Sequence, residues 1–408
     1  MDLMTWMTTI CTNHDTCTEG FEEAGGVVKD QTAQIVEELS QIISNHLTLS
    51  STVINCDVVS GKRLSGLKPN IMDMGDPRWM SMKNMELLGT PLKNFEPNIT
   101  VSQDDIGPNV TVRTIGEAIR KAPKNSSTPF IIHVTAGYYE LNLTVGKYKT
   151  NLWFIGDGKG KTIISGKRRA TGLGFVARGI TFENTAGPEN HQAVSLYVKS
   201  DQSVFYECEI KGYQDTLYVH SNRQFYRNCD IYGTVDFIFG NAQVVFQNCT
   251  IYSRLPMEQQ KNTITAQKRS QTCPDSYSGI SIHQCQIRAA SDLEQVKSNY
   301  STYLGRPWRE FSTVVYMLSY IGDHIDPQGW LPWNSTSSLN HVFYGEYMNY
   351  GPRANTSQRM QSPGIHVNMS FAEAAQFTVD QFVGGSWIAQ TKVPYEAGFG
   401  KLEKPSNN

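Results

Sequence analysis

Two aspartates occupy the same place in a repeat, and their pairing is the first sign of chemistry. Cys208-Glu209-Ile210, Cys229-Asp230-Ile231, Cys249-Thr250-Ile251 and Cys285-Gln286-Ile287 share a Cys-x-Ile pattern. Phe205-Tyr206, Phe225-Tyr226 and Val245-Phe246 precede the first three. Those three cysteines are spaced 21 and 20 residues apart. Five residues beyond Ile210 stands Asp215, and five beyond Ile231 stands Asp236. In a solenoid with one coil per repeat, residues at equal register lie about 4.8 Å apart. Two carboxylates that close cannot both ionise easily, so one pKa must rise. A protonated acid beside an ionised one is a general acid beside a nucleophile or base. The same pattern also fits a ladder of Asp side chains that satisfies turn amides on a solenoid surface. Asp236 lies between Val235 and Phe237, a poor setting for a solvated turn residue.

The elements that must position this pair follow from the period. A repeat near 20 residues, with one short strand per apolar cluster, predicts a parallel β-helix. A leucine-rich repeat needs a Leu ladder, which is absent, and a β-propeller needs a period of about 40 or more. From about Phe95, β-rich runs such as Phe130-Ile-Ile-His-Val134 and Asn151-Leu-Trp-Phe-Ile155 alternate with Gly, Asn and Asp turns. Thr114-Ile-Gly-Glu117 and Ser370-Phe-Ala-Glu373 fit capping boxes, each opening a short helix. One could cap an end of the β domain and the other pack along its side. Upstream, Val28, Ile35, Leu39 and Ile42 share one face of a helix. Residues 61–94 carry scattered Gly and Pro and read as a linker. The expected organisation is a helical fragment at 1–60, linker at 61–94, mainly-β catalytic domain at 95–400 and tail at 401–408.

Composition excludes several classes. The 408 residues are 39% hydrophobic and 18% charged, enough apolar material for a large core. No apolar run reaches the length of a membrane span. The net charge of -2 gives no reason to expect a nucleic-acid partner. There is no CxxC pair, so no zinc ribbon or other metal site is expected, and no cofactor. Gly-x-Ser-x-Gly is absent, and Gly160-Lys161-Thr162 has Ile155 where a phosphate-binding loop needs its first Gly. Nine Asn-x-Ser/Thr sequons, at Asn98, Asn109, Asn125, Asn142, Asn248, Asn299, Asn334, Asn355 and Asn368, favour secretion. Residues 1–10 lack the basic start of a signal peptide.

Gln192-Ala193-Val194, the block Gly212 to Leu217, the octapeptide Gly233 to Gly240 and Leu304-Gly-Arg-Pro-Trp308 resemble, in order, the signature blocks of plant pectin methylesterases. Gly137-Tyr-Tyr-Glu140 and Gly156-Asp-Gly158 match earlier blocks. Residues 1–60 resemble the end of that family's inhibitor-like pro-region. The resemblance implies a right-handed parallel β-helix that removes methyl esters from pectin and releases methanol. It implies Asp236 as nucleophile, Asp215 as acid and base, and Gln192 and Gln214 as oxyanion donors. Arg306 would hold Asp236 ionised, and Trp308 would offer a sugar platform. It pairs Cys229 with Cys249 and leaves Cys208 free. It further implies a secreted monomer of the plant cell wall, with pectin and a proteinaceous pectinesterase inhibitor as partners.

Three departures from that pattern stand out. Only Lys167 to Leu173 bridges Gly166 and Gly174, where the family has a longer segment supplying a substrate-contacting Thr. The solenoid is therefore expected to skip a sheet or loop out there, exposing a strand edge. Asn84-Met-Glu-Leu-Leu88 lacks the usual dibasic processing pair, and Gln103-Asp-Asp-Ile106 replaces the usual glycines. The competing readings are another pectin-active β-helix hydrolase, since paired carboxylates also suit a glycosidase, and an inactive pectin-binding paralogue.

Overall fold

The computed structural model describes residues 9–10, 12–13, 16, 96–104, 112–166, 168–270 and 277–400. The chain divides into two compact units, residues 1–91 with 272–277, and residues 92–271 with 278–408. In the first unit short helical pieces at Thr9–Ile10, Thr12–Asn13 and Thr16, together with Tyr277, are described. The helix read over Val28 to Ile43, the linker at 61–94 and the tail at 401–408 lie outside the described residues.

The second unit is a parallel β-helix, as the repeat predicts, and right-handed, as the resemblance implies. Its described strands form three parallel sheets of eleven, eight and seven strands, here sheets A, B and C. Each coil visits A, then B, then C. The coil carrying Asp215, for example, runs through Ser203–Tyr206 in A, Glu209–Lys211 in B and Leu217–Val219 in C. The next runs through Arg223–Arg227, Asp230–Gly233 and Ile238–Gly240.

The Cys-x-Ile repeat is the corner between A and B together with the start of B. Ile210, Ile231, Ile251, Ile287 and Ile321 pair in one register and are buried completely. The residue before each cysteine turns the corner at positive φ: Glu207, Asn228, Asn248 and Gln284 all lie near 53°. Asn tolerates this left-handed state because its short polar side chain bonds locally. Here Asn248 Nδ2 donates to Asn228 Oδ1 at 2.9 Å. Inside the coils Phe205, Tyr226 and Phe246 stack at 4.7 and 4.6 Å between ring centroids. Burial of such columns is the main source of stability in a solenoid.

The two capping boxes differ. At Ser370 both halves form, and the helix Phe371–Ala375 leads into Val379–Phe382, whose apolar residues pack on sheet A against Phe225, Val245 and Val315. At Thr114 only the hydroxyl half forms, accepting from Glu117 N, while the Glu117 carboxylate pairs with Lys121. The helix Ile115–Lys121 buries Ile115, Ala118 and Ile119 against the first coil.

The shortened segment corrects the sequence reading. The solenoid neither skips a sheet nor loops out. Thr162–Ser165 lies in B, Arg168–Ala170 in C and Val176–Arg178 in A. The three-residue strand Arg168–Ala170 pairs with Leu143–Val145 on one side and Leu196–Val198 on the other, so no edge is exposed. Glycine makes the short corners possible. Gly166 and Gly174 sit at φ 117° and 70°, and a Cβ on Gly172 would collide with the Lys149 carbonyl.

The disulfide implied by the resemblance is also corrected. Cys229 and Cys249 are free buried thiols, as are Cys208 and Cys285. Cys229 Sγ lies 3.4 Å from the carbonyl of Phe205, one coil back, and Cys249 Sγ lies 3.6 Å from that of Tyr226. The sulfurs fill the core column as small apolar side chains with weak S–H bonds to backbone.

Ile231 tests the column. It lies between Ile210 and Ile251 with no room to collapse. Ile231→Ala is expected to cost about 2–5 kcal/mol in denaturant unfolding. A loss below about 1 kcal/mol would show that the column is not what holds the coils.

Candidate active site

Sheet C carries the site. Leu217 pairs with Ile238, so Asp215 and Asp236, each two residues earlier, stand at equal register on neighbouring coils. Asp215 N donates to the Val235 carbonyl at 3.0 Å. Both aspartates are held in the left-handed region, at φ 61° and 52°. Non-Gly residues pay for that conformation, and such strain persists where the surrounding structure over-determines it. Here the flanking strands fix both turns.

The two carboxylates live in different surroundings. Asp236 is 6% exposed and tightly held. Arg306 Nε donates to Oδ1 at 2.8 Å and Nη2 to Oδ2 at 2.6 Å, a bidentate pair. Thr263 Oγ1 donates to Oδ1 at 2.6 Å and accepts from Asp236 N at 2.9 Å. Asp215 is half-buried and has no such clamp. Burial first, and the negative charge of Asp236 second, push its pKa up to about 8, against the opposing pull of Arg306. Asp215 is thus the protonated member at neutral pH.

The other residues named from the sequence gather nearby. Gln214 directly precedes Asp215, and Ala193 N donates to its carbonyl, which places Gln192 at the same level on the preceding coil. Gln192 is exposed and Gln214 half-buried, and among the described residues neither side-chain amide has a partner. Arg306 N and Trp308 N bond to the carbonyls of Thr265 and Gln267, so Leu304-Gly-Arg-Pro-Trp308 runs on beside the last strands of the sheet.

Sequence reasoning missed several neighbours. Thr263 gave no signal, because a Thr inside a β-rich run is unremarkable until it faces a carboxylate. Trp333 lies under the Arg306 guanidinium, 4.3 Å from it, and stiffens the clamp from behind. The outward row Tyr197, Tyr218 and Phe239 pairs strand to strand, with centroid distances of 5.0 and 4.4 Å. Trp308 joins it 5.8 Å from Phe239. Alternation within three-residue strands is too short to announce such a row in the sequence.

A cavity of about 560 Å³ beside sheet B is lined by Lys211, Tyr213, Tyr232 and Arg254, but not by the dyad. Among the described residues, no group of three His, Cys, Asp or Glu is placed to hold a metal ion.

A parallel β-helix bearing an unequal carboxylate pair beside an aromatic row suits a hydrolase acting on a carbohydrate polymer. A pectinesterase family model matches residues 98–386. Probable pectinesterase/pectinesterase inhibitor 61 of Arabidopsis thaliana is 51% identical over 420 residues, covering 97% of this chain and 70% of the relative. Pectinesterase 2 of Citrus sinensis is 43% identical over 413 residues, covering 98% of this chain and 76% of the relative. Among solved structures, pectin methylesterase from carrot superposes with a TM-score of 0.72 at 47% identity, covering 74% of this chain and 98% of that one. A pectin methylesterase in complex with a hexasaccharide matches at 25% identity and TM-score 0.60, covering 74% and 99%. The chain belongs to the pectinesterase family, and its reaction is the removal of methyl esters from pectin with release of methanol.

The raised Asp215 pKa makes a stability prediction. The folded protein holds this proton more tightly than the unfolded chain, whose Asp titrates near about 3.9. Stability from this group therefore falls as pH rises from about 4 and stops falling above about 8. Asp215→Asn removes that loss. Its melting temperature is expected to match the parent near pH 4 and to exceed it increasingly toward pH 8. An equal difference at every pH would mean that Asp215 does not carry a raised pKa.

Proposed function

We propose that Asp236 is the nucleophile and Asp215 the acid, then base, of the methyl-ester hydrolysis. The observation that carries this division is the asymmetry of the dyad. One carboxylate is clamped by Arg306 and Thr263, while the other is half-buried and protonated at neutral pH. An Asp236 oxygen attacks the ester carbonyl carbon through a lone pair not used by the clamp. The side-chain amides of Gln192 and Gln214 donate to the oxyanion of the tetrahedral intermediate. Collapse breaks the bond to the methoxy oxygen, which takes the Asp215 proton and leaves as methanol. The product on the protein is an acyl anhydride at Asp236. Ionised Asp215 then takes a proton from water, whose oxygen attacks the acyl carbon. This frees a galacturonic acid group, which gives its proton to solvent, and restores both aspartates. Arg306 holds the Asp236 side chain in place between turnovers through its bidentate pair.

Trp308, Phe239 and Tyr218 supply a face on which successive sugar rings of pectin lie. The hexasaccharide complex of the related esterase supports an extended site for the polymer. We place the enzyme outside the cell, in the plant wall where its polymer substrate is found, as a monomeric glycoprotein. A proteinaceous inhibitor is a fitting second partner, since curated relatives carry both names. The domain limits at 60/61 and 94/95 belong to the same proposal, with the catalytic domain ending near residue 400.

Three measurements of methanol release test the assignment. Asp236→Asn is expected to abolish turnover with the fold intact, and near-parental release would remove Asp236 from the nucleophile's role. Gln192→Ala and Gln214→Ala are each expected to lower kcat by roughly 10²-fold or more, with smaller effects on KM. A rise in KM alone would make them substrate-positioning groups. Acylation of the nucleophile needs protonated Asp215, so kcat should decline as pH rises through about 8. A profile flat from pH 6 to 10 would contradict Asp215 as the acid.

A further inference from the structure

The register column that carries the dyad runs one coil further. Leu217 pairs with Ile238, and Ile238 pairs with Thr265. Two residues before each stand Asp215, Asp236 and Thr263, so the third side chain of the column is a hydroxyl. Thr263 is 1% exposed and lies in the strand Asn262–Gln267. Its backbone brackets Asp236. Thr263 N donates to the Thr234 carbonyl at 3.2 Å, and Phe237 N donates to the Thr263 carbonyl at 3.3 Å. A β-branched side chain on a strand fixed this way has little freedom at χ1.

The hydroxyl proton has one place to go. Asp236 N donates to Thr263 Oγ1 at 2.9 Å, and Oγ1 lies 2.6 Å from Asp236 Oδ1. A carboxylate only accepts and an amide N–H only donates, so the hydroxyl points its proton at Oδ1. Asp215 has no counterpart, since its amide goes to the Val235 carbonyl. The two Asp236 oxygens therefore differ. Arg306 gives one donor to each, Nε to Oδ1 and Nη2 to Oδ2. Thr263 adds a second donor to Oδ1 alone. Each carboxylate oxygen has about two lone-pair sites. Both are used on Oδ1, and one stays open on Oδ2. Among the described residues no further donor reaches Asp236.

We propose that Thr263 is a positioning residue that makes Oδ2 the attacking oxygen of Asp236 and Oδ1 the oxygen that takes up charge when Asp236 leaves. The inference rests on the roles proposed above for Asp236 and Asp215. In the first step an Oδ2 lone pair forms the bond to the ester carbonyl carbon, and the carbonyl electron pair moves onto its oxygen. That pair returns as the bond to the methoxy oxygen breaks, and the methoxy oxygen takes the Asp215 proton. Asp236 is then acylated through Oδ2. Oδ1 is its carbonyl oxygen, still facing Thr263 and Arg306 Nε. In the second step water gives a proton to Asp215 and its oxygen bonds to the acyl carbon. The bond from that carbon to Oδ2 breaks, and its electron pair returns to the Asp236 carboxylate. The two donors on Oδ1 stabilise the charge that spreads there. The arginine alone treats both oxygens alike, and a half-turn about the broad two-fold χ2 of Asp would exchange them. The threonine breaks that symmetry.

The test uses the full chain and the variants Thr263→Val and Thr263→Ser. Val keeps the branched shape and loses the hydroxyl, whereas Ser keeps the hydroxyl. Methanol release from highly methylated pectin gives kcat and KM, and melting temperatures check the fold. Thr263→Val is expected to lower kcat about 10²-fold with KM changed by less than about threefold, because the hydroxyl acts on Asp236 and not on the substrate. Thr263→Ser is expected to recover kcat to within about threefold of the parent. A parental kcat in folded Thr263→Val would overturn the assignment, as would a Ser variant as slow as the Val variant. A second measurement does not depend on the Val variant folding. In a crystal structure of Asp215→Asn with a methylated oligogalacturonide, Oδ2 should lie about 3–3.5 Å from an ester carbonyl carbon, with Thr263 still on Oδ1. Oδ1 facing that carbon would overturn the choice of oxygen. The two readings fail separately. Near-parental methanol release by Asp236→Asn would remove the nucleophile and the positioning role with it. An inert Asp236→Asn beside a fully active Thr263→Val would keep the nucleophile and sink the positioning role alone.

Discussion

A parallel β-helix stacks its coils at about 4.8 Å, and residues at equal register are held at that spacing from their neighbours. The site depends on this constraint. It forces Asp215 and Asp236 together, although two carboxylates repel at that distance. The repulsion is resolved by giving each a different environment. Arg306 and Thr263 clamp Asp236, and burial leaves Asp215 protonated. The fold supplies the proximity and the unequal surroundings divide the labour.

The same constraint explains why the machinery is cheap to position. Each coil repeats the corner that places its neighbour: a left-handed residue, a buried cysteine and a buried isoleucine. Aromatic rings stack inside the coils, as at Phe205, Tyr226 and Phe246, and outside them, as at Tyr218 and Phe239. The inner stack rigidifies the floor on which the outer one lies. Strain at the two aspartates is thereby carried by a scaffold that extends several coils in either direction.

Two expectations failed for instructive reasons. The short bridge between Gly166 and Gly174 looked too small for a coil, and it argued for an impaired paralogue. It closes because three residues suffice for a strand that both neighbours pair, and because glycines at 166, 172 and 174 take corners other residues cannot. The cysteine pairing rested on resemblance. The sulfurs stand in a column, but they face backbone carbonyls as thiols. Equal register allows a covalent link without requiring one.

The sequence by itself determined the fold and the dyad. A period near 20 and a recurring Cys-x-Ile are local facts, and stacking turns equal register into contact, so Asp215 and Asp236 could be paired by counting. Their unequal roles were legible as a consequence of like charge, and the motif blocks brought in Arg306, Trp308, Gln192 and Gln214. Which carboxylate the arginine grips could not be counted from the repeat, because Arg306 lies 70 residues beyond Asp236 and outside the pattern. Thr263 and Trp333 were likewise invisible. Each is an ordinary residue on a short strand or loop, and only its side-chain direction across neighbouring coils gives it a partner. Tertiary structure decided these because charge and hydrogen bonding act through space between coils, while sequence periodicity records only position along each one.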